Sequence, residues 1–158
     1  MGKIAVPDGI LLKSGGLTEP EWEEMRRHPV EGYRLLHRIA FLKEAAETVH
    51  THHEHYDGTG YPQKLKGEEI PLGARLFAVA DVFDALTSDR PYHTAIDYAP
   101  TAEIIREKKG SHFDPAVVEV FKKIQPAEWE AIRGRYSEVD QTPPGKKTRS
   151  MPMWRIKA

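Results

Sequence analysis

Cysteine is absent from the 158-residue chain, which excludes disulfides, zinc–thiolate centres and thiol nucleophiles together. Any metal chemistry therefore falls to histidine and carboxylate. An excess of charge of one sign is also lacking. With 23 Lys and Arg against 24 Asp and Glu, no global field draws in DNA, RNA or an anionic membrane, so a phosphate has to be met by a local site. No apolar run approaches the roughly 18–20 residues of a bilayer span, and the start MGKIAVPDG lacks the apolar core of a signal peptide. The expectation is a cytoplasmic protein with neither a membrane nor a nucleic-acid partner. Strand-like alternation and internal repeats are missing as well, which leaves helical periodicity as the organising signal and an all-α helical bundle as the predicted fold.

The length and the 39% hydrophobic content suit one core. Residues 1–17 read as a Pro- and Gly-punctuated lead-in. Thr18 and Glu21 have capping-box spacing and open a helix to about Arg27. Pro29 opens a second, through about Arg38. A stripe of Ile39, Leu42, Ala46, Val49 and His53 marks a third. Residues 56–70, YDGTGYPQKLKGEEI, have no period and form a loop long enough to carry function. From Pro71 to Asp89 a helix apolar nearly all round is expected at the centre, with Asp81 on its alanine-rich side. Further helices are predicted at 98–108, 115–124 and 126–133, with Asp114-Pro115 as N-cap and first residue of the second of these. The domain is placed at 1–133 and a poorly ordered tail at 134–158, within which Trp154 could dock.

Four histidines, His50, His52, His53 and His55, fall within six residues at the end of the third helix. Adjacent His52 and His53 point about 100° apart on a helix, so they can serve one ion only if it lies between them and other ligands arrive from elsewhere. His28 and Asp81 are the candidates. A histidine before proline is ordinarily a capping or surface residue, and His50 and His55 suit solvent or a supporting role; His37, His93 and His112 are given no metal role. Asp81 differs, because a carboxylate on an apolar helix is costly unless it meets a cation or a metal, a structural salt bridge being the alternative. Histidine and carboxylate suit iron, manganese, zinc or nickel. A phosphate would also need cations close by, and Arg90, in SDRPY, and Lys3 are the candidates, an ordinary surface charge being the alternative for each.

The runs HHEHYDGTGYP (52–62), IPLGARLFAVADVFDALTSDRPY (70–92) and FDP (113–115) closely resemble the HD-GYP domains, and the lead-in up to His28-Pro29 resembles the stretch that follows the His-Asp dyad of that family. The resemblance spans residues 2 to about 124. It implies an all-helical HD phosphohydrolase fold, divalent metals with iron foremost, and hydrolysis of cyclic di-GMP to pGpG or GMP. It implies His28, His52, His53 and Asp81 as metal ligands, Lys3 as the catalytic lysine of the HDIGK motif, and Gly60, Tyr61, Pro62 and Arg90 at the substrate. The partners it implies are a cyclic dinucleotide, a diguanylate cyclase or a sensory or receiver domain; a homodimer is compatible. Where the motif has His, Asp and Ile, only Met1 precedes Gly2-Lys3, so a domain lacking its HD-bearing helices, with impaired turnover, is expected. The alternative is a non-catalytic remnant that binds metal, nucleotide or a partner.

Overall fold

Most helices among the described residues begin where the sequence supplies a cap or a proline. The computed structural model describes residues 2–13, 15–89 and 94–137. A 3₁₀ turn, Lys3–Ala5, and helix α1, Asp8–Leu11, occupy the lead-in, where the turn residues alone predicted irregular chain. Helix α2 spans Glu19–Met25, and its capping box is in place, with the Glu21 carboxylate accepting from the Thr18 amide at 2.7 Å. Helix α3 spans His28–Leu36 with Pro29 in its first turn. After a 3₁₀ turn at Ala40–Leu42, α4 runs Lys43–Thr51. Ile39, expected on the core stripe of that helix, is exposed and extended instead, because α4 starts four residues later.

Helix α5 spans Leu72–Thr87, α6 Tyr98–Glu107, α7 Pro115–Phe121 and α8 Pro126–Ser137. The last therefore crosses the boundary expected at residue 133. The tail beyond 137, with Trp154, lies outside the described residues. The core gathers Ala78, Val79 and Phe83 of α5 with Ile105 of α6, Phe113, and Val117, Val118 and Phe121 of α7, and Trp129 of α8 lies on Phe83 with ring centroids 4.4 Å apart.

Helix α5 is less enclosed than its composition predicts. Ala74, Ala78, Val79, Phe83, Ala85 and Leu86 are buried, but Leu72, Leu76, Phe77, Ala80 and Asp81 form an exposed face. An apolar helix reads as central only if something covers each side, and among the described residues α4, α6, α7 and Trp129 of α8 pack on α5 away from this face.

On the other side of α5, α3 and α4 pack antiparallel, joined by a short connection. Their approach depends on Gly32, where an added Cβ would stand 2.7 Å from Val49 Cγ1. Gly2 sits against the same helix with φ +82°, and a Cβ there would stand 2.0 Å from the His28 carbonyl oxygen. Only glycine brings the chain this close, and the closeness carries Lys3 to the start of α3.

Candidate metal centre

The first residue of α3 and the two residues that follow α4 meet in space. His28 is buried at the start of α3, where its Nδ1 lies 2.8 Å from the Met25 carbonyl; His52 caps α4 with its Nδ1 2.7 Å from the Val49 carbonyl. A carbonyl oxygen can only accept, so each Nδ1 carries the proton and each neutral ring presents Nε2 as a lone pair. Those two Nε2 atoms face each other at 3.4 Å, and His53 Nε2 lies 3.1 Å from that of His28. Candidate ligand atoms of the three all lie within 4.8 Å of one another, the one group of three or more such residues among those described.

Burial sets their protonation. It pushes His28 down to about 4. It lowers His52 as well, against the opposing pull of the Val49 carbonyl and the Asp81 charge, and it takes His53 well below the usual histidine value, helped by its two neighbours. All three are neutral at physiological pH, the form in which imidazole ligates.

The donor set fits a divalent ion. Two lone pairs turned on each other repel unless a cation lies between them. Nitrogens held about 2.0–2.1 Å from one ion stand roughly 2.8–3.4 Å apart for angles between octahedral and tetrahedral, a range that takes in the His28–His52 and His28–His53 separations. The three histidines could hold a metal ion, and without thiolate the set does not discriminate among iron, manganese, zinc and nickel.

Asp81 stands outside this group. It is exposed on the same face of α5 as Phe77, whose ring meets His52 edge-on at 5.7 Å, and its charge is felt by His52 and Tyr61. The His52 ring thus borders the exposed face of α5 that carries Asp81. The charge of Lys3 acts on His28, His52 and His53 alike, which places the lysine beside the cluster. Arg90 and His93 lie outside the described residues. A cavity of about 250 Å³ opens beside His28, lined by Ala5, Val6, Glu24, Arg27 and Glu31.

The Gly60-Tyr61-Pro62 segment backs the histidines. Gly60 is buried against the turn it follows, and a Cβ there would stand 2.3 Å from the His55 nitrogen and 2.5 Å from Glu54 Cα, so no other residue fits without backbone displacement. Tyr61 donates its N–H to the His53 carbonyl at 3.1 Å and stacks its ring on His53 with centroids 5.0 Å apart. Burial pushes the Tyr61 phenol up, so it stays protonated at neutral pH. The Tyr61–Pro62 peptide is cis.

The surplus histidines do other work. His50 stacks on Tyr33 at 4.5 Å and accepts from Gln63 Nε2 at 2.9 Å, while His37 stacks on the same tyrosine at 4.8 Å. His55 donates through Nδ1 to Thr59 Oγ1 at 3.0 Å, and that hydroxyl donates to Asp57 at 2.7 Å. His112 lies on His55 with centroids 3.9 Å apart, and its carbonyl accepts the Tyr56 N–H, tying the loop to the turn before α7. Sequence reasoning missed this His55–His112 pair and the burial of Glu54, whose carboxylate accepts the Gln63 and Leu65 N–H groups. The second was hidden inside the HHEHYDG run, where a carboxylate among histidines carries no period of its own.

A family model described as HD domain matches residues 1–117. The chain is 48% identical over 132 residues to a cyclic di-GMP phosphodiesterase of Vibrio cholerae, covering 79% of this chain and 27% of that protein. It is 46% identical over 145 residues to the cyclic di-GMP phosphodiesterase response regulator RpfG of Xanthomonas campestris, covering 90% and 38% respectively. To the 3′3′-cGAMP-specific phosphodiesterase 2 of V. cholerae it is 42% identical over 122 residues, covering 76% and 23%. The chain thus spans well under half the length of these relatives. In fold it is similar to the crystal structure of a cyclic GMP-AMP-specific phosphodiesterase of V. cholerae, with a TM-score of 0.63 at 20% identity over 98% of this chain and 41% of that one. By the family model and by its relatives, with the three histidines and the Gly-Tyr-Pro loop in one place, this chain belongs to the HD domain family and is of the HD-GYP type.

Proposed function

We propose that this chain is the metal-binding part of a phosphodiesterase acting on cyclic dinucleotides, with cyclic di-GMP as substrate and pGpG or GMP as product. One observation carries the reading: three neutral imidazoles from two helices aim their nitrogens at one point, with the Nδ1 protons of His28 and His52 held by main-chain carbonyls. His28, His52 and His53 would hold the ion, with Asp81 completing the set from α5. A divalent ion there supplies Lewis acidity toward a phosphoryl oxygen and makes a water acidic enough to attack near neutral pH.

The remaining roles fall to the chain. Lys3 brings a positive charge to the phosphate beside the cluster, and Arg90 is proposed as a second phosphate contact. The Tyr61 ring keeps water off one side of His53. Gly60 and Pro62 set the course of the loop on which the substrate would rest. Iron is proposed as the working ion, and the protein is proposed to act in the cytoplasm, governed by a sensory or receiver domain or a diguanylate cyclase.

A non-catalytic reading draws on a specific feature. Three histidines and one exposed aspartate serve one ion, whereas two-metal chemistry keeps a second ion roughly 3.5–4 Å from the first and clamps the leaving oxygen as well. Residues 1–158 by themselves are therefore expected to turn over slowly. The test is a side-by-side assay of these residues and of a version extended by a His-Asp pair and its helix, each with metal content measured. We expect one ion per chain in the former, lost on His53→Ala. Its hydrolysis of cyclic di-GMP should be at least about 10²- to 10³-fold slower, the usual cost of one lost electrostatic stabiliser. Equal rates would overturn the impairment. A metal-loaded extended chain that cleaves neither cyclic di-GMP nor 3′3′-cGAMP would overturn the phosphodiesterase reading.

A further inference from the structure

Glu54 is 3% exposed, and among the described residues it forms no ion pair with lysine or arginine. A buried carboxylate without a cation needs hydrogen-bond donors. It has two, both from the backbone of one loop: the Gln63 N–H at 2.6 Å and the Leu65 N–H at 3.1 Å. The same loop reaches back to the residue before Glu54, through the Tyr61 N–H on the His53 carbonyl at 3.1 Å and the Tyr61 ring stacked on the His53 ring. Gly60 presses on the Glu54 main chain. The loop therefore wraps residue 54, and its grip on His53 depends on where the carboxylate holds residues 63 and 65.

We propose that Glu54 is a positioning residue of the metal centre, fixing Tyr61 against His53 and so setting the affinity of the three-histidine cluster for a divalent ion. Carbonyls fix the tautomers and orientation of His28 and His52 through Nδ1, whereas His53 is oriented by the stacked tyrosine. A ligand whose orientation rests on a loop is only as well placed as that loop. Supporting contacts of this kind are commonly worth 10- to 100-fold in metal affinity.

This proposal rests on the metal-centre reading, and the experiment separates the two. Co²⁺ binding is titrated by its visible spectrum in the wild-type chain, Glu54→Gln, Tyr61→Ala and the double variant, with far-ultraviolet circular dichroism as the folding control. Glu54→Gln puts an NH₂ group against a main-chain N–H, so that one of the two bonds is lost. We expect its affinity to fall 10- to 100-fold, with an altered cobalt spectrum and unchanged helix content. In the Tyr61→Ala background the same change should cost little more, because the ring contact through which the loop orients the His53 imidazole is already gone, the main-chain bond from residue 61 remaining in both. Should Glu54→Gln fail to fold, Gln63→Pro, which deletes the donor of the 2.6 Å bond and leaves Glu54 in place, carries the test. Wild-type affinity in a folded Glu54→Gln chain, or the full loss persisting without Tyr61, would overturn the role of Glu54. A wild-type chain that binds no Co²⁺ would instead overturn the metal centre.

Discussion

At the scale of single residues, the centre is governed by what burial does to histidine. His28 is 1% exposed, and its pKa falls from about 6.5 to about 4 because the charged ring cannot be hydrated there. The consequence for stability has a definite sign. Above pH 6.5 the ring is neutral in both states and folding gains its full contribution. Between 6.5 and 4 the unfolded chain takes a proton that the folded chain refuses, so stability drains away as pH falls; below 4 the loss is complete. For His28 this amounts to something on the order of 3 kcal/mol, and His52 and His53 are shifted in the same direction. The metal-free chain should therefore unfold at distinctly lower urea at pH 4.5 than at pH 7.5, and His28→Asn should flatten that dependence. Equal midpoints in the wild-type chain at the two pH values would mean that the cluster is not buried as neutral imidazole. The same shift lets a metal compete with protons at His28 down to a pH well below that of free imidazole.

At the scale of elements, the Phe113-Asp114-Pro115 motif is a joint as well as a cap. The Asp114 carboxylate accepts the Ala116 N–H at 2.7 Å, as its place before Pro115 predicts, and it also meets Arg75 of α5 at 2.6 Å, with the side chains 4% and 17% exposed. That second partner was out of reach of sequence reasoning, since nothing local links positions 75 and 114. Removing the acid would leave a guanidinium buried without its counterion, so Asp114→Ala is expected to cost about 3–5 kcal/mol in urea unfolding. Pairing it with Arg75→Met should recover much of the loss, because the stranded charge goes too. A double variant no more stable than Asp114→Ala alone would assign the whole effect to the lost cap. Elements with a local signature were legible: the α2 capping box, Pro29 and Pro115 in first turns, the aperiodic loop between α4 and α5. What failed to show was closure. The short α1 and the onset of α4 at Lys43 lack a distinctive start, and the exposure of Leu72, Leu76 and Phe77 on α5 depends on which neighbours are present, which composition does not encode.

At the scale of the whole molecule, α5 joins two unlike halves. On one side lies the packed core of α6, α7 and α8; on the other, α3 and α4 meet over glycine, with the histidines at the start of α3 and just past the end of α4. The clustering of His52 and His53 was legible from spacing alone. That His28, 24 positions earlier, completes the group was suggested by residue type and given weight by resemblance, since the turn that brings α3 back along α4 leaves no periodic trace. Metal binding should act unequally on the halves. An ion gripped by His28, His52 and His53 crosslinks the start of α3 to the end of α4, while no ligand comes from α6, α7 or α8 among the described residues. Ion at about 100 times its Kd stabilises the folded chain by about 2.7 kcal/mol, which for a domain of this size raises the Tm by roughly 5–10 °C. Hydrogen exchange on metal addition should slow most in residues 25–36, 43–54 and 60–65, where local opening must break the crosslink. In α6 and α7 it should slow only insofar as they exchange through global unfolding. Uniform protection across the chain would mean that the molecule opens as one unit. Protection centred on His55 and His112 would move the ion away from the three-histidine cluster altogether.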